Sequence, residues 1–200
     1  RVLFRSCLFG TSNMDTFDDA LEFRFKADDT WATAHEDDKA AVKRLWEWIY
    51  SCKGNPTKFL NEYAEYFGND SPFAWYLITD YFMAVDNRAK NMMLVTWDGK
   101  IWYFIPYDMD TVFGERNDSV LKYDYTITWE TMDESIGSYA FAGHDSVLWE
   151  LVRGCPDKLR EVADKLRSTM SLEYVLKVFN EEMMGNWCER IYNKDGIYKY

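Results

Sequence analysis

The chain predicts an α+β protein, mostly helical, with one short β-hairpin set among its helices. Three observations predict this class. Apolar residues recur at helical spacing in six stretches between residues 36 and 191. Residues 92–97 (Met-Met-Leu-Val-Thr-Trp) and 100–106 (Lys-Ile-Trp-Tyr-Phe-Ile-Pro) are rich in β-branched and aromatic types, and Asp98-Gly99 between them is a dipeptide that tight hairpin turns favour. An apolar fraction of 48%, with 18% aromatic residues, is ample for a packed core and argues against disorder.

The elements follow in order. Residues 1–35 read as an irregular or strand-like entry segment, in which Leu21 to Lys26 alternate apolar and charged side chains as a half-buried strand does. Residues 36–200 read as one helical lobe carrying the hairpin at 92–106. Its first helix, residues 36–50, begins with Glu36, Asp37 and Asp38, which complement the helix dipole. Ala41, Val42, Leu45, Trp46 and Ile49 form its apolar stripe. Gly54-Asn55-Pro56 interrupts the chain before a helix over 57–67 that sets Phe59, Leu60, Tyr63 and Phe67 on one side. Ser71-Pro72 predicts an N-cap followed by proline at the first helical position, opening a largely apolar central helix to about residue 85. Residues 111–142 have no period and read as a long excursion of the kind that is often functional. Three helices complete the chain. One runs from about Asp145 to Arg153, and one over 156–168 has Leu159, Val162, Ala163 and Leu166 inward. The last is capped by Ser171 and striped by Leu172, Val175, Phe179, Met183 and Trp187.

Composition narrows the functional classes. A net charge of −11 argues against a nucleic-acid surface, which needs clustered Lys and Arg. No apolar run approaches the roughly 20 residues of a membrane span. Cys7, Cys52, Cys155 and Cys188 are scattered, and with only two histidines they do not make a zinc site; they read as reduced and mostly buried. The chain starts at Arg1 with neither initiator Met nor targeting pattern, which reads as a piece of a larger polypeptide or assembly.

The stretch richest in chemistry flanks the hairpin. Asp86-Asn87-Arg88-Ala89-Lys90-Asn91 precedes it, and Tyr107-Asp108-Met109-Asp110 follows. Pairing Trp97 with Lys100 places Asn91 opposite Pro106 and gathers Asp86, Asn91, Asp108 and Asp110 at the open end of the ribbon. One amide and a few carboxylates are the hard oxygen ligands that Mg²⁺ takes, together with water and phosphate. The bland alternative is that each Asp or Asn caps its own turn. Arg88 and Lys90 read as exposed cations or phosphate contacts, and His144 as a polar turn residue. Most of the nine tryptophans fall on core stripes, although exposed ones would suit a glycan-stacking surface.

An Asp, an Asn five residues later, a hydrophobic hairpin and then another Asp is the order of parts in a protein-kinase catalytic lobe. The longer string from Asp80 to Asn91, followed by Trp102 to Asp110 and Phe113-Gly114, resembles the CotH (spore coat protein H) kinase-like family. Residues 143–149 resemble that family's following segment more loosely. The resemblance implies the C-terminal lobe of an atypical protein kinase, with ATP and Mg²⁺ or Mn²⁺ as cofactors and Ser or Thr of a protein substrate as acceptor. Carried over, it makes Asp86 the catalytic Asp and Asn91 and Asp108 the residues that bind cofactor and metal, with Asp110 a second metal ligand or a partner of Asp108. It also implies a setting in a spore coat, cell surface or phage virion. The chain departs from ordinary kinases in having Ala84-Val85 where a histidine often precedes the Asp. It has no Gly-rich phosphate loop, and Lys26 and Arg24 are the early strand-like cations. A non-catalytic kinase-like attachment module is therefore the alternative function.

Overall fold

The computed structural model describes residues 2–6, 36–82, 84, 87, 92–107, 109, 112, 147–178, 180 and 181. The chain divides into two compact units, residues 1–160 and residues 161–200. The fold is α+β and mainly helical, as the periodicity predicts, with a three-stranded antiparallel sheet in the order β1-β2-β3. The predicted strand over residues 21–26 lies outside the described residues. Strand β1 (Val2–Ser6) falls within the strand-like entry segment, though not at the residues singled out there; it pairs with β2 (Met92–Thr96) from Val2 opposite Thr96 to Ser6 opposite Met92.

Helix α1 (Glu36–Ser51) forms where its stripe predicts, with Val42, Leu45 and Ile49 fully buried. Lys58 Nζ reaches back to its last turn, 2.8 Å from Ser51 Oγ and 3.4 Å from the Ser51 carbonyl. Asn55 then caps α2 (Pro56–Glu62) by accepting from the Lys58 N–H at 3.0 Å, with Pro56 in the first turn. The predicted helix over 57–67 is shorter than the pattern implied. After Glu62 a 3₁₀ turn (Tyr63–Glu65) tightens the backbone, and Phe67 leaves it to bridge Trp102. Phe59, Tyr63 and Phe67 are buried as expected, whereas Leu60 is exposed.

Helix α3 (Ser71–Tyr81) differs from expectation at both ends. Asp70, not Ser71, holds the N-cap position; its left-handed backbone (φ +56°) leaves its carboxylate without a capping bond to the helix. That carboxylate instead accepts from the Tyr63 hydroxyl at 2.5 Å and pairs with Lys158 Nζ at 3.1 Å. The helix ends at Tyr81 rather than near residue 85, with the Phe82 N–H bonded to the Ile78 carbonyl.

The hairpin register is displaced by one from the predicted pairing. Met93 faces Ile105 and Thr96 faces Trp102 across β2 and β3 (Trp102–Ile105), which leaves residues 97–101 as the connection. A two-residue turn of the predicted kind needs positive φ at both central residues, and of Asp98 and Gly99 only Gly99 has it, at +68°. The Asp98 carboxylate sets the wider loop. It accepts from the N–H groups of Lys100 (2.8 Å) and Ile101 (2.9 Å) and from the Thr96 hydroxyl (3.0 Å). Arg44 donates to the Gly99 carbonyl at 2.7 Å and fastens this loop to α1. The inference that Asn91 faces Pro106 rested on the earlier register and loses its basis.

Helix α4 (Val147–Arg153) buries five residues, including Trp149, and Cys155 lies buried beyond it with Sγ 3.5 Å from the Pro56 carbonyl. Cys52 and Cys155 are free and buried, as read from the sequence, while Cys7 and Cys188 lie outside the described residues. Along α5 (Pro156–Thr169), Val162 is buried, and Leu159, Ala163 and Leu166 are half-buried. Helix α6 (Leu172–Val178) is capped by Ser171, whose hydroxyl accepts from the Tyr174 N–H at 3.1 Å. Its side chains are all exposed, so the expected inward stripe of Leu172 and Val175 is not realised. The long excursion over 111–142 lies outside the described residues apart from Val112. Among the described residues no helix is long and apolar enough to cross a membrane.

The core of the first unit is a chain of aromatic contacts. Phe104 on β3 stacks on Phe67 (5.7 Å between centroids) and Trp75 (5.8 Å) and meets Trp149 at 5.6 Å. Trp48 packs against Phe59, Tyr66 and Phe67 on the α1 side. Trp46, Trp48, Trp75, Trp102 and Trp149 are buried, whereas Trp97 is 66% exposed.

The Asp98 turn is sensitive to acid. The backbone N–H groups of Ile101 and Lys100, aided by the Thr96 hydroxyl, lower the Asp98 pKa from 3.8 to about 2. A folded-state pKa below the unfolded value contributes stability that is complete above about pH 4 and is lost as the pH falls through about 2. Asp98→Asn should flatten that part of the stability–pH profile, and a carboxyl titration of the folded protein by NMR should find the Asp98 midpoint near 2.

Candidate functional site

The segment that leaves α3 is held by backbone bonds before it reaches the acidic stretch. Thr79, fully buried, donates its hydroxyl to the Trp75 carbonyl at 2.7 Å and the Tyr76 carbonyl at 3.1 Å. Its own carbonyl accepts from the Ala84 N–H at 2.8 Å, and the Ala84 carbonyl accepts from the Asn87 N–H at 3.2 Å. These bonds tie Ala84 to the last turns of α3 and Asn87 to Ala84.

Asn87 is fully buried, and three elements meet on it. The Trp75 indole N–H donates to the Asn87 carbonyl at 3.0 Å, fixing the residue to α3. The Asn87 side-chain Nδ2 donates to the Tyr107 carbonyl at 2.8 Å, fixing it to the chain that leaves β3. The Asn87 Oδ1 is buried and has no hydrogen-bond partner among the described residues. Buried polar atoms nearly always find partners, so such an oxygen marks a polar centre.

Asp86, Asn91, Asp108 and Asp110, the residues that the sequence singles out, lie outside the described residues, as do Arg88, Lys90 and His144. What the structure supplies is their sequence neighbours. Asn87 directly follows Asp86, and Tyr107 directly precedes Asp108, so the hydrogen bond between Asn87 and Tyr107 joins the two acid-bearing segments. Met92, directly after Asn91, starts β2 and is fully buried. Among the described residues no group of three or more His, Cys, Asp or Glu side chains stands together. In the sequence Asn87 stands within the acidic stretch without a role of its own. The spacing of an Asn five residues after an Asp selects Asn91, and only the bonds to Trp75 and Tyr107 single out Asn87.

Electrostatics away from this point are structural. Burial, and after it the hydrogen bond to Asp70, raises the pKa of Tyr63 above the ordinary phenolic value, which suits a hydroxyl that donates to a carboxylate. Burial likewise raises Cys52 and Cys155, so neither is a ready thiolate.

A protein-family model described as CotH kinase protein matches residues 11–193. No curated protein and no solved structure matches the chain.

Trp75 couples the core to this segment, and its indole N–H is the measurable link. Trp75→Phe leaves the buried Asn87 carbonyl without that donor and should destabilise the protein by about 1–3 kcal/mol, read from the urea midpoint. Amide hydrogen exchange around residues 84–87 should rise more than at the centre of α1.

Proposed function

The chain belongs to the CotH kinase protein family, and from that membership we propose that it is the catalytic region of an ATP- and Mg²⁺-dependent protein kinase acting on Ser or Thr. The observation that supports this reading is the 2.8 Å hydrogen bond from Asn87 to the Tyr107 carbonyl, which joins the residue after Asp86 to the residue before Asp108. Those are the two acids to which kinase chemistry gives separate tasks. The buried Asn87 Oδ1, without a hydrogen-bond partner among the described residues, fits a polar centre better than a packed apolar one.

The roles follow from residue chemistry. Asp86 accepts the proton of the Ser or Thr hydroxyl, since a base there must be a carboxylate that does not itself ligate tightly. Asn91 and Asp108 hold Mg²⁺ or Mn²⁺ through an amide and a carboxylate oxygen, and Asp110 either ligates as well or fixes Asp108. Bound metal supplies neutralisation of phosphate charge. In the overall reaction a bond forms between the acceptor oxygen and the γ-phosphorus, the bond from that phosphorus to the bridging oxygen breaks, and ADP leaves.

A thermal-shift experiment tests the reading. Mg²⁺ with ATP at about one hundred times its dissociation constant stabilises a folded protein by about 2.7 kcal/mol. In a protein of this size that is a rise of roughly 5–10 °C. Asp108→Ala should abolish the rise, and Asp86→Ala should keep it while losing phosphoryl transfer. Stabilisation by metal without any effect of ATP would favour a kinase-like attachment module, and no shift with either would sink the kinase reading.

A further inference from the structure

We infer that Asn87 is a positioning residue that sets the spacing between the segment carrying Asp86 and the segment carrying Asp108. The inference rests on the kinase reading of those two acids and adds a residue to which that reading assigns no task. Its basis is the bonding of Asn87 itself. A single buried side chain donates Nδ2 to the Tyr107 carbonyl at 2.8 Å, while the carbonyl of the same residue accepts the Trp75 indole N–H at 3.0 Å. Its backbone N–H is taken by Ala84 at 3.2 Å. Asn87 is thus bonded to α3, to the turn that leaves it and to the exit of β3.

An amide is the side chain this position needs. Its terminal nitrogen presents donors to a carbonyl, which a carboxylate of the same shape cannot do. Leu or Met would fill the space and leave the Tyr107 carbonyl without this donor. A longer Gln would push the two backbones apart. Groups that orient metal ligands without touching the metal typically matter by 10–100-fold in metal affinity or activity. Asn87 acts on the site through its sequence neighbours, so its loss should alter metal–nucleotide affinity without removing any ligand.

The experiment uses Asn87→Asp and Asn87→Ala, with Ile49→Val in the α1 core as a control for general destabilisation. Mn²⁺ binding in the presence of ATP is followed by electron paramagnetic resonance at a temperature where each protein is folded. The Asn87 variants should lose about tenfold or more in affinity, and Ile49→Val should bind as the wild type does. In the unmodified protein the Asn87 side-chain amide protons should exchange slowly, and their NMR signals should shift on adding Mg²⁺ and ATP. That measurement stands even where a variant fails to fold. Equal affinity in wild type and Asn87→Ala, an equal loss in Ile49→Val, or fast-exchanging and unshifted amide protons would each overturn the positioning role alone. A wild-type protein that binds no Mg²⁺–ATP would overturn the kinase reading and the positioning role with it.

Discussion

Strand β3 is four residues long and is bonded on both sides, along β2 on one and at Trp102 on the other. On one side it pairs with β2 from Ile105 opposite Met93 to Trp102 opposite Thr96. On the other side the Trp102 N–H donates to the Tyr66 carbonyl at 2.7 Å, and the Trp102 carbonyl accepts from the Gly68 N–H at 3.1 Å and the Ser71 hydroxyl at 3.4 Å. A bare strand edge exposes unpaired donors and acceptors; here the turn between α2 and α3 covers it. The Tyr103 ring lies over Gly68, so that a Cβ there would lie 2.3 Å from it and the ring would have to shift. The direction in which α3 sets off is therefore fixed by a strand about thirty residues later in the chain.

From that edge the arrangement propagates inward through rings. Phe104 faces the core and brings together Phe67 from the turn, Trp75 from α3 and Trp149 from α4. Aromatic pairs of this kind contribute roughly 0.5–1.5 kcal/mol each beyond the area they bury, and a ring loses few rotatable bonds on being ordered. Trp75 belongs to this cluster with its ring and to the Asn87 segment with its N–H. Packing in the core and the geometry of the loop thus share one side chain.

Much of this was legible in the sequence, and the misses have physical causes. The helix over residues 36–50 was readable because its stripe and its acidic first turn agree. The hairpin strands were readable from composition, but their register was not. Asp98 could serve either as a turn residue with positive φ or as a side-chain acceptor for the backbone, and only the three bonds to its carboxylate decide between them. Ser71 looked like a cap because it precedes proline, yet the residue before it takes the position in a left-handed conformation and spends its carboxylate on Tyr63 and Lys158. Strand β1 was legible only as part of a strand-like entry segment, because its five residues have no alternation and their partners lie about ninety positions away. The acids of the site were visible as residue types. The amide that ties their segments together was not, because a hydrogen bond to a distant carbonyl leaves no spacing pattern.

The nature of that tie bears on what the acids can do. The bonds that place Asn87 are amide to carbonyl and indole to carbonyl, and all are neutral. An ion pair holding the same two segments would place a cation among the carboxylates and satisfy them before any ligand arrived. In the proposed site, carboxylates close together would repel one another and favour a bound cation, which suits a tie made by groups without charge. Neutral, buried bonds are also little affected by salt, unlike surface ion pairs. On the kinase reading proposed above, a tie of this kind would leave the charge of the acids for a metal. On that reading binding would not have to organise the backbone first, and a site ordered in advance avoids part of the ordering cost of association.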